Sequence, residues 1–310
     1  MANTVTNIFQ TLVLPGLSML KAPTQLRNSM LSKVYIQNQP LAGTIGQTVN
    51  VNIPSVAEND VIDIGNGPIQ ITDQDHTSVQ LAVNNNKSKA LRIPDFDDIR
   101  SAENLVQFYM QPAIESLSRK INRSICNLVT STNFSSYTSI TGGTKVFTRT
   151  NIANAWANLR ATGAPDEEEN QFLVVGHVPY SNMMGDSTQN FLQQYVVGDA
   201  AAMALQQRAV FMPQFNASVD YDAMMPQPTA GSTYAGLYFH KAAFALIPIQ
   251  PPIGDKPNVK ETYYQVPGSG LTYRVQLWYD PREQAWILHI HAVYALSVVR
   301  PNFGSYLVTA

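Results

Sequence analysis

Two histidines, His289 and His291, carry the spacing in this chain that comes nearest to chemistry. On a strand, side chains two residues apart point to the same face, so both imidazoles could meet one metal ion. His240, in another strand-like segment, could bring a third ligand, and the three together would suit a cytosolic metal-dependent α/β enzyme. The plainer reading makes them polar positions on sheet strands that meet backbone or water. It is favoured because no cysteine or carboxylate stands beside them at ligand spacing. His76 and His177 are isolated. The run Asp166-Glu167-Glu168-Glu169 could hold a divalent cation, but runs of this kind are usually solvated loops.

Other motifs fail on spacing. Gly142-Gly143-Thr144-Lys145 lacks the spacing of a phosphate loop, and Gly65-Asn66-Gly67 lacks the third glycine and following helix of a dinucleotide site. Gly268-Ser269-Gly270 is a turn signal rather than a nucleophile elbow. Cys126 sits at helical spacing among Ile121, Ile125 and Leu128 and reads as a small core residue. A lone cysteine also excludes an intramolecular disulfide and fits a reducing compartment. No residue set amounts to an active site, no cofactor is implied, and the chain reads as a protein that is not an enzyme.

Composition explains what replaces chemistry. Charged residues make up 14% of 310 positions, against ~25% in typical soluble domains. With 45% hydrophobic residues, uncharged polar side chains have taken the place of charges. Such a surface suits burial against neighbours. Net charge is −2 with no basic block, which gives no compositional case for nucleic-acid binding. There is neither an apolar run of membrane-spanning length nor a signal-peptide pattern at the N-terminus.

Residues 1–42 read as an arm, with scattered apolar contacts broken by Pro15, Gly16 and Pro23. From Gly43 the period becomes two. Val49, Val51 and Ile53 form one strand, Pro54 ends it, and residues 57–68 make the tip. Ile69, Ile71, Val79, Leu81 and Val83 return. Asn84-Asn85-Asn86 breaks the pattern, and Ala90, Leu91 and Ile93 add a short strand. This polar hairpin buries too little to offset its ordering entropy, and the chain offers no obvious internal surface for it. A second copy of the chain is the expected support.

Asp95, Asp97 and Asp98 crowd a helix start. Leu105, Phe108, Tyr109, Ala113, Leu117, Ile121, Ile125 and Leu128 then recur at helical spacing. Pro112 predicts a split into a short helix over 101–110 and a longer one from 111 to about 130. After a polar link, Thr150 is the expected cap of a helix burying Ile152, Ala155, Trp156 and Leu159, closed by Gly163 and Pro165. A strand at 172–175 and a helix at 177–184 follow, then strands at 209–212, 235–247, 273–279 and 286–299. The turn Asp280-Pro281-Arg282-Glu283 makes the last two a hairpin.

Five groups of residues carry a resemblance. They are Gly43-Thr44-Ile45-Gly46-Gln47-Thr48-Val49; Tyr109-Met110-Gln111-Pro112-Ala113; and Phe172-Leu173-Val174-Val175 with Pro179-Tyr180. Gly236-Leu237-Tyr238-Phe239-His240-Lys241-Ala242-Ala243 is the fourth. The fifth is Gly270-Leu271-Thr272-Tyr273-Arg274-Val275 with Tyr279-Asp280, Tyr294 and Arg300-Pro301. In this order the chain resembles, over nearly its whole length, the major capsid protein of tailed bacteriophages, the α+β Hong Kong 97-type fold. Its last group is similar to podovirus coat proteins.

The resemblance implies an N-terminal arm (1–42), an extended β-hairpin loop (43–93), a peripheral domain with a long spine helix (94–148), an axial domain (149–290) and a C-terminal strand returning to the peripheral domain (291–310). It implies hexamers and pentamers closing into an icosahedral shell around packaged double-stranded DNA, met by non-specific contact. Scaffolding, portal and decoration proteins are the expected further partners, with no membrane. The place is the virion, after assembly in the host bacterial cytoplasm. An encapsulin-like compartment shell is the rival with the same fold. Ala295 stands where the family often has glycine, any scaffold is expected to be a separate protein or a removed segment, and no acid follows Asn302. No autocatalytic cross-link from Lys87 or Lys89 is therefore expected. Opposite charges bracket the joint between hairpin and helix, so Lys87, Lys89 and Arg92 are expected to meet Asp95, Asp97, Asp98 or Glu103 across subunits. Arg92→Glu should then derail assembly while leaving the monomer folded, and electron microscopy showing normal shells from that variant would sink the assignment.

Overall fold

The computed structural model describes residues 13, 29–36, 41–42, 48–54, 76–94, 105–134, 136–140, 147–165, 170–185, 210–212, 217–229, 233–251, 253–254, 258–265 and 270–309. In order, the strands are β1 (Tyr35–Ile36), β2 (Leu41–Ala42), β3 (Thr48–Pro54), β4 (His76–Ala82), β5 (Asn85–Pro94), β6 (Ser136–Ile140), β7 (Gln171–Val175), β8 (Val210–Met212), β9 (Ala217–Tyr221), β10 (Ala235–His240), β11 (Phe244–Gln250), β12 (Val259–Gln265), β13 (Thr272–Asp280), β14 (Ala285–Val298) and β15 (Gly304–Thr309). The helices are α1 (Leu105–Cys126), α2 (Arg149–Ala161) and α3 (His177–Gly185). The class is α+β, as expected.

A seven-stranded sheet is built around β14. The expected hairpin is present: β13 pairs antiparallel with β14, and Gln284 turns the corner with a φ of 46°. β12 follows on the outside of β13. The other edge of β14 is shared. β5 pairs along its first ten residues, and β11 along its last six. The short β1 and β2 add in parallel to β11. β5 corrects an expectation. The chain does break at Val83-Asn84, as expected, but Asn85 and Asn86 belong to the next strand, which is longer than foreseen because a ten-residue ladder to β14 outweighs the poor strand preference of asparagine.

α1 covers one face of this sheet, on Leu288, Ile290, Ala292 and Tyr294 of β14 and Phe244 and Leu246 of β11. Ser118 Oγ and Tyr273 Oη hydrogen-bond at 2.7 Å, and the Tyr294 hydroxyl donates to Ser124 Oγ at 3.2 Å. The expected split at Pro112 does not occur, and α1 is continuous through it. An interior proline costs about 3 kcal/mol. Met110, Ala113, Ile114, Leu117, Ile121 and Ile125 are all buried around it, and full burial of a large apolar side chain contributes ~1.5–3 kcal/mol each. Packing wins, and Pro112 itself lies on the exposed side.

A second, six-stranded sheet runs β6-β15-β10-β7-β9-β8. Its strands are buried on both faces with a period of two. Leu173, Val175, Tyr238 and Leu307 meet α2 through Ile152, Ala155 and Leu159, while Val174, Leu237, Phe239 and Tyr306 join the core under α1. The cap of α2 is Thr148, not Thr150: its Oγ1 accepts from Asn151 N at 3.3 Å. Gly163, at φ 76°, closes the helix as expected.

The segment expected as one strand over 235–247 is two. A 3-10 turn, Lys241–Ala243, ends β10 in one sheet and starts β11 in the other, and His240 caps it by accepting from Ala242 N at 3.2 Å. The 3-10 turn Pro301–Phe303 likewise carries the chain from β14 to β15. The two crossings are tied together, since Val299 N donates to Ala243 O at 2.8 Å. Gly304, just past the crossing, has no room for a side chain: a Cβ would lie 2.5 Å from the Phe134 ring. The sheets thus apportion the chain differently from the expected boundaries. β11 to β14 share a sheet with β5 under α1, whereas β6 and β15 join the sheet of α2.

A buried polar junction binds these parts. Asp222 follows β9, and its Oδ2 accepts from Met30 N at 3.1 Å and from Asn122 Nδ2 of α1 at 2.6 Å. Its Oδ1 accepts from Met224 N at 2.8 Å. Asn122 Oδ1 in turn accepts from Leu31 N at 2.9 Å. Beside it, Lys33 and Asp220 form an ion pair at 2.8 Å with side chains only 3% and 5% exposed. Burial pushes the Asp220 carboxyl up from its ordinary value, and the Lys33 ammonium pulls it back. Breaking a buried pair by removing one partner costs about 3–5 kcal/mol, whereas replacing both with apolar groups is often neutral. Lys33→Met should therefore lower the urea-unfolding free energy by roughly that amount, and Lys33→Met with Asp220→Leu should recover most of it. A single variant as stable as the parent would show that the pair does not hold the arm.

Candidate inter-subunit surface

The charged residues expected to act together do not share a face. In the ladder with β14, Lys87 pairs with Ala292 and Lys89 with Ile290, both on the face covered by α1. Arg92 pairs with Ile287, on the opposite face. Strand parity separates them. Lys89 Nζ donates to Ser116 Oγ of α1 at 3.2 Å. Arg92 instead reaches Glu283 of its own chain, donating to its carbonyl at 2.7 Å and lying 3.4 Å from its carboxylate. Both side chains are more than half exposed, so this pair contributes little and does not commit Arg92. Asp95, Asp97, Asp98 and Glu103 lie outside the described residues, as do Asp166 to Glu169, Gly65 to Gly67, Gly142 to Lys145, and Gly268 with Ser269.

The hairpin differs from its expectation at its root. β3 and β4 pair as foreseen, Val49 opposite Leu81 and Val51 opposite Val79. Their apolar face rests on the chain's own sheet, on Ala245, Ile247, Ala295 and Val299, and Leu81 is wholly buried there. An internal surface for the root therefore exists, on the side of the sheet away from α1. The signal was present in the alternation of 245, 247 and 295, but only the pairing of β11 with β14 brings those positions together. The tip at 55–75 lies outside the described residues.

Farther along the same face, β13 and β14 bring the two histidines together. His289 and His291 stack with ring centroids 5.2 Å apart, and His289 Nδ1 is 2.9 Å from Gln276 Oε1. The Trp278 ring meets His289 edge-on, and Arg274 is ion-paired to Glu261. His240 does not join them, since it lies in the other sheet, where it caps a turn and meets Phe303 edge-on. Among the described residues no three histidine, cysteine or acidic side chains are grouped as metal ligands. Cys126 is buried, and burial together with the nearby Asp222 carboxylate pushes its thiol well up, which suits a core residue.

Burial, then the neighbouring His289 and Arg274, push His291 down to about 4, with Glu261 opposing. His289 is pushed down as well, by burial and Arg274. An unfolded imidazole takes a proton near 6.5, so between that pH and about 4 the unfolded chain binds protons that the folded chain refuses. The contribution to stability is constant above 6.5 and falls as pH drops toward 4. Urea-unfolding midpoints across this window should decline more steeply for the parent than for His291→Gln. Equal slopes would show that the histidine is not held neutral by its surroundings.

No protein-family model matches the sequence, and no curated protein matches it in sequence. Solved structures do match. The chain is similar to a chain in the capsid structure of the cyanophage P-SCSP1u, with a TM-score of 0.60 at 11% identity, covering 94% of this chain and 89% of that one. It is similar to a chain of Mycobacterium phage Che8, with a TM-score of 0.55 at 17% identity over 86% and 85%. A chain in the asymmetric unit of the bacteriophage PhiM1 mature capsid matches with a TM-score of 0.53 at 9% identity over 91% and 87%. These likenesses cover most of both chains at TM-scores above 0.5: this chain has the Hong Kong 97-type fold of tailed-phage major capsid proteins.

Proposed function

We propose that this chain is the major capsid protein of a tailed phage, assembling as hexamers and pentamers into an icosahedral shell around packaged double-stranded DNA. The observation that carries the reading is coverage. The match to phage capsid chains covers 94% and 86% of this chain, rather than one common substructure. A structural, non-enzymatic role agrees with it. The virion is the corresponding place, with assembly in the host cytoplasm and with scaffolding, portal and decoration proteins as partners.

In this reading the sheet under α1 is the peripheral domain and the sheet under α2 the axial domain, with the hairpin reaching from the former toward a neighbouring subunit. The charge-poor surface is the physical support, because it can be covered by other copies without the cost of desolvating many charges. Lys87, Lys89 and Arg92 are the proposed basic side of the contacts, with Asp95, Asp97, Asp98 and Glu103 among the acidic partners. With Arg92 on the opposite face from the two lysines, they serve two different neighbours or two segments of one. Negative-stain electron microscopy with sedimentation on the purified protein, with and without a coexpressed scaffold, tests the reading. Closed shells, tubes, or discrete pentamers and hexamers are expected. A uniform monomer or dimer under both conditions would overturn it.

A further inference from the structure

We propose that the groove between β5 and α1 is a carboxylate-binding site that receives the acidic run Asp166-Glu167-Glu168-Glu169 of a second copy of this chain. The inference rests on the shell-forming reading and names one contact within it. The groove has a volume of about 500 Å³ and is lined by Lys87, Lys89 and Lys120 together with Asn86, Ser88 and Ser116. Strand parity turns Lys87 and Lys89 toward α1, and Lys120 lies one helical turn beyond Ser116, which Lys89 touches. Three ammonium groups from two elements therefore line one opening.

None of the three lysines has a carboxylate within ion-pair distance among the described residues. The one fixed contact, Lys89 to Ser116, is to a neutral hydroxyl. Glu115, the acid nearest in sequence on α1, accepts from Gln111 instead. In a chain with only 20 basic and 22 acidic residues, a concentration of like charge without an acid is the exception. It repels itself until an anion enters.

Charge complementarity selects the occupant. Residues 166–169 form the longest unbroken run of charge in the sequence. The positions flanking it are fixed to the six-stranded sheet: Pro165 O accepts from Gln171 Nε2 at 3.1 Å, and Asn170 O accepts from Lys241 N at 2.8 Å. The flanks of the run are thus anchored to one sheet and the groove to the other, so each copy would offer both halves of a repeating contact. Packaged DNA is the other polyanion of such a shell. A rigid duplex wants a broad basic face, whereas a confined groove in a chain of net charge −2 suits a few carboxylates on a short segment.

The test is charge reversal with rescue, read as particle yield at low salt. Lys87→Glu with Lys120→Glu should lower the yield by about tenfold or more, and adding Glu167→Lys with Glu168→Lys should restore it. Both lysines reach solvent, and an unchanged urea midpoint confirms that the fold survives. As a second measurement, Lys120→Cys with Glu168→Cys should give a ladder of disulfide-linked chains in oxidised particles, because Cys126 is buried and does not compete. Normal yield from the lysine variant, no rescue, or a disulfide formed only within one chain would overturn the proposal. Lost DNA retention at normal yield would also overturn it and assign the groove to phosphate. Parent particles that form normally while the groove tests fail would leave the shell reading standing alone. A parent that never forms particles would take both readings down.

Discussion

The fold depends on a buried carboxylate that accepts from three parts of the chain at once. Asp222 is 6% exposed, and its oxygens accept hydrogen bonds from the arm at Met30, from α1 at Asn122 and from its own loop at Met224. A buried charge without such donors would cost several kcal/mol, about 1–3 for each ordinary unsatisfied group and more for an ion. The demand for satisfaction therefore fixes geometry: the carboxylate is tolerated only where arm, helix and sheet arrive together. The Lys33–Asp220 pair repeats the logic alongside it. Hydrophobic burial under α1 supplies the bulk of the stability, but it is not directional, and these polar contacts select one arrangement.

Two short 3-10 turns complete that arrangement. At Lys241–Ala243 and Pro301–Phe303 the chain leaves one sheet for the other, and Val299 hydrogen-bonds across the pair of crossings. Because both sheets feed one core, through Phe239 and Phe244, which meet edge-on at 5.5 Å, the lobes share apolar packing as well as covalent connections. The parts best placed to reach other molecules lie away from this junction. They are the β5–α1 groove and the exposed Arg92. The separation suits a subunit that must stay rigid at its centre while its edges engage copies of itself.

Much of the local structure was legible. Period-two patterns placed β3, β4, β13 and β14, and helical spacing placed α1 and α2, because burial on one face leaves a periodic trace. What failed was arbitration between local rules and tertiary packing. Pro112 argued for a break that a buried helix face outweighed, and the asparagine run, which does part β4 from β5, hid a strand that a ten-residue ladder to β14 extends back to Asn85. The cap of α2 moved two residues, from Thr150 to Thr148, as threonines on either side of a boundary look alike in sequence. No signal marked Asp222 or Asn122, since a satisfied buried polar group has no pattern until its partners are in place.

The sequence by itself determined the fold class: a charge-poor chain with an alternating hairpin ahead of a long helix, in an order that resembles the Hong Kong 97-type fold. It did not separate Lys87 and Lys89 from Arg92, because that separation needs the ladder to β14 that makes one strand of residues 85–94. Only the tertiary structure decided which side was which, because the identity of each face depends on α1 lying on Ile290 rather than on Ile287. It likewise decided that His240 stands apart from His289 and His291, and that the hairpin root has a seat on its own sheet. Periodicity is a property of neighbours along the chain, whereas the choice of face, seat and partner belongs to residues that only folding brings together.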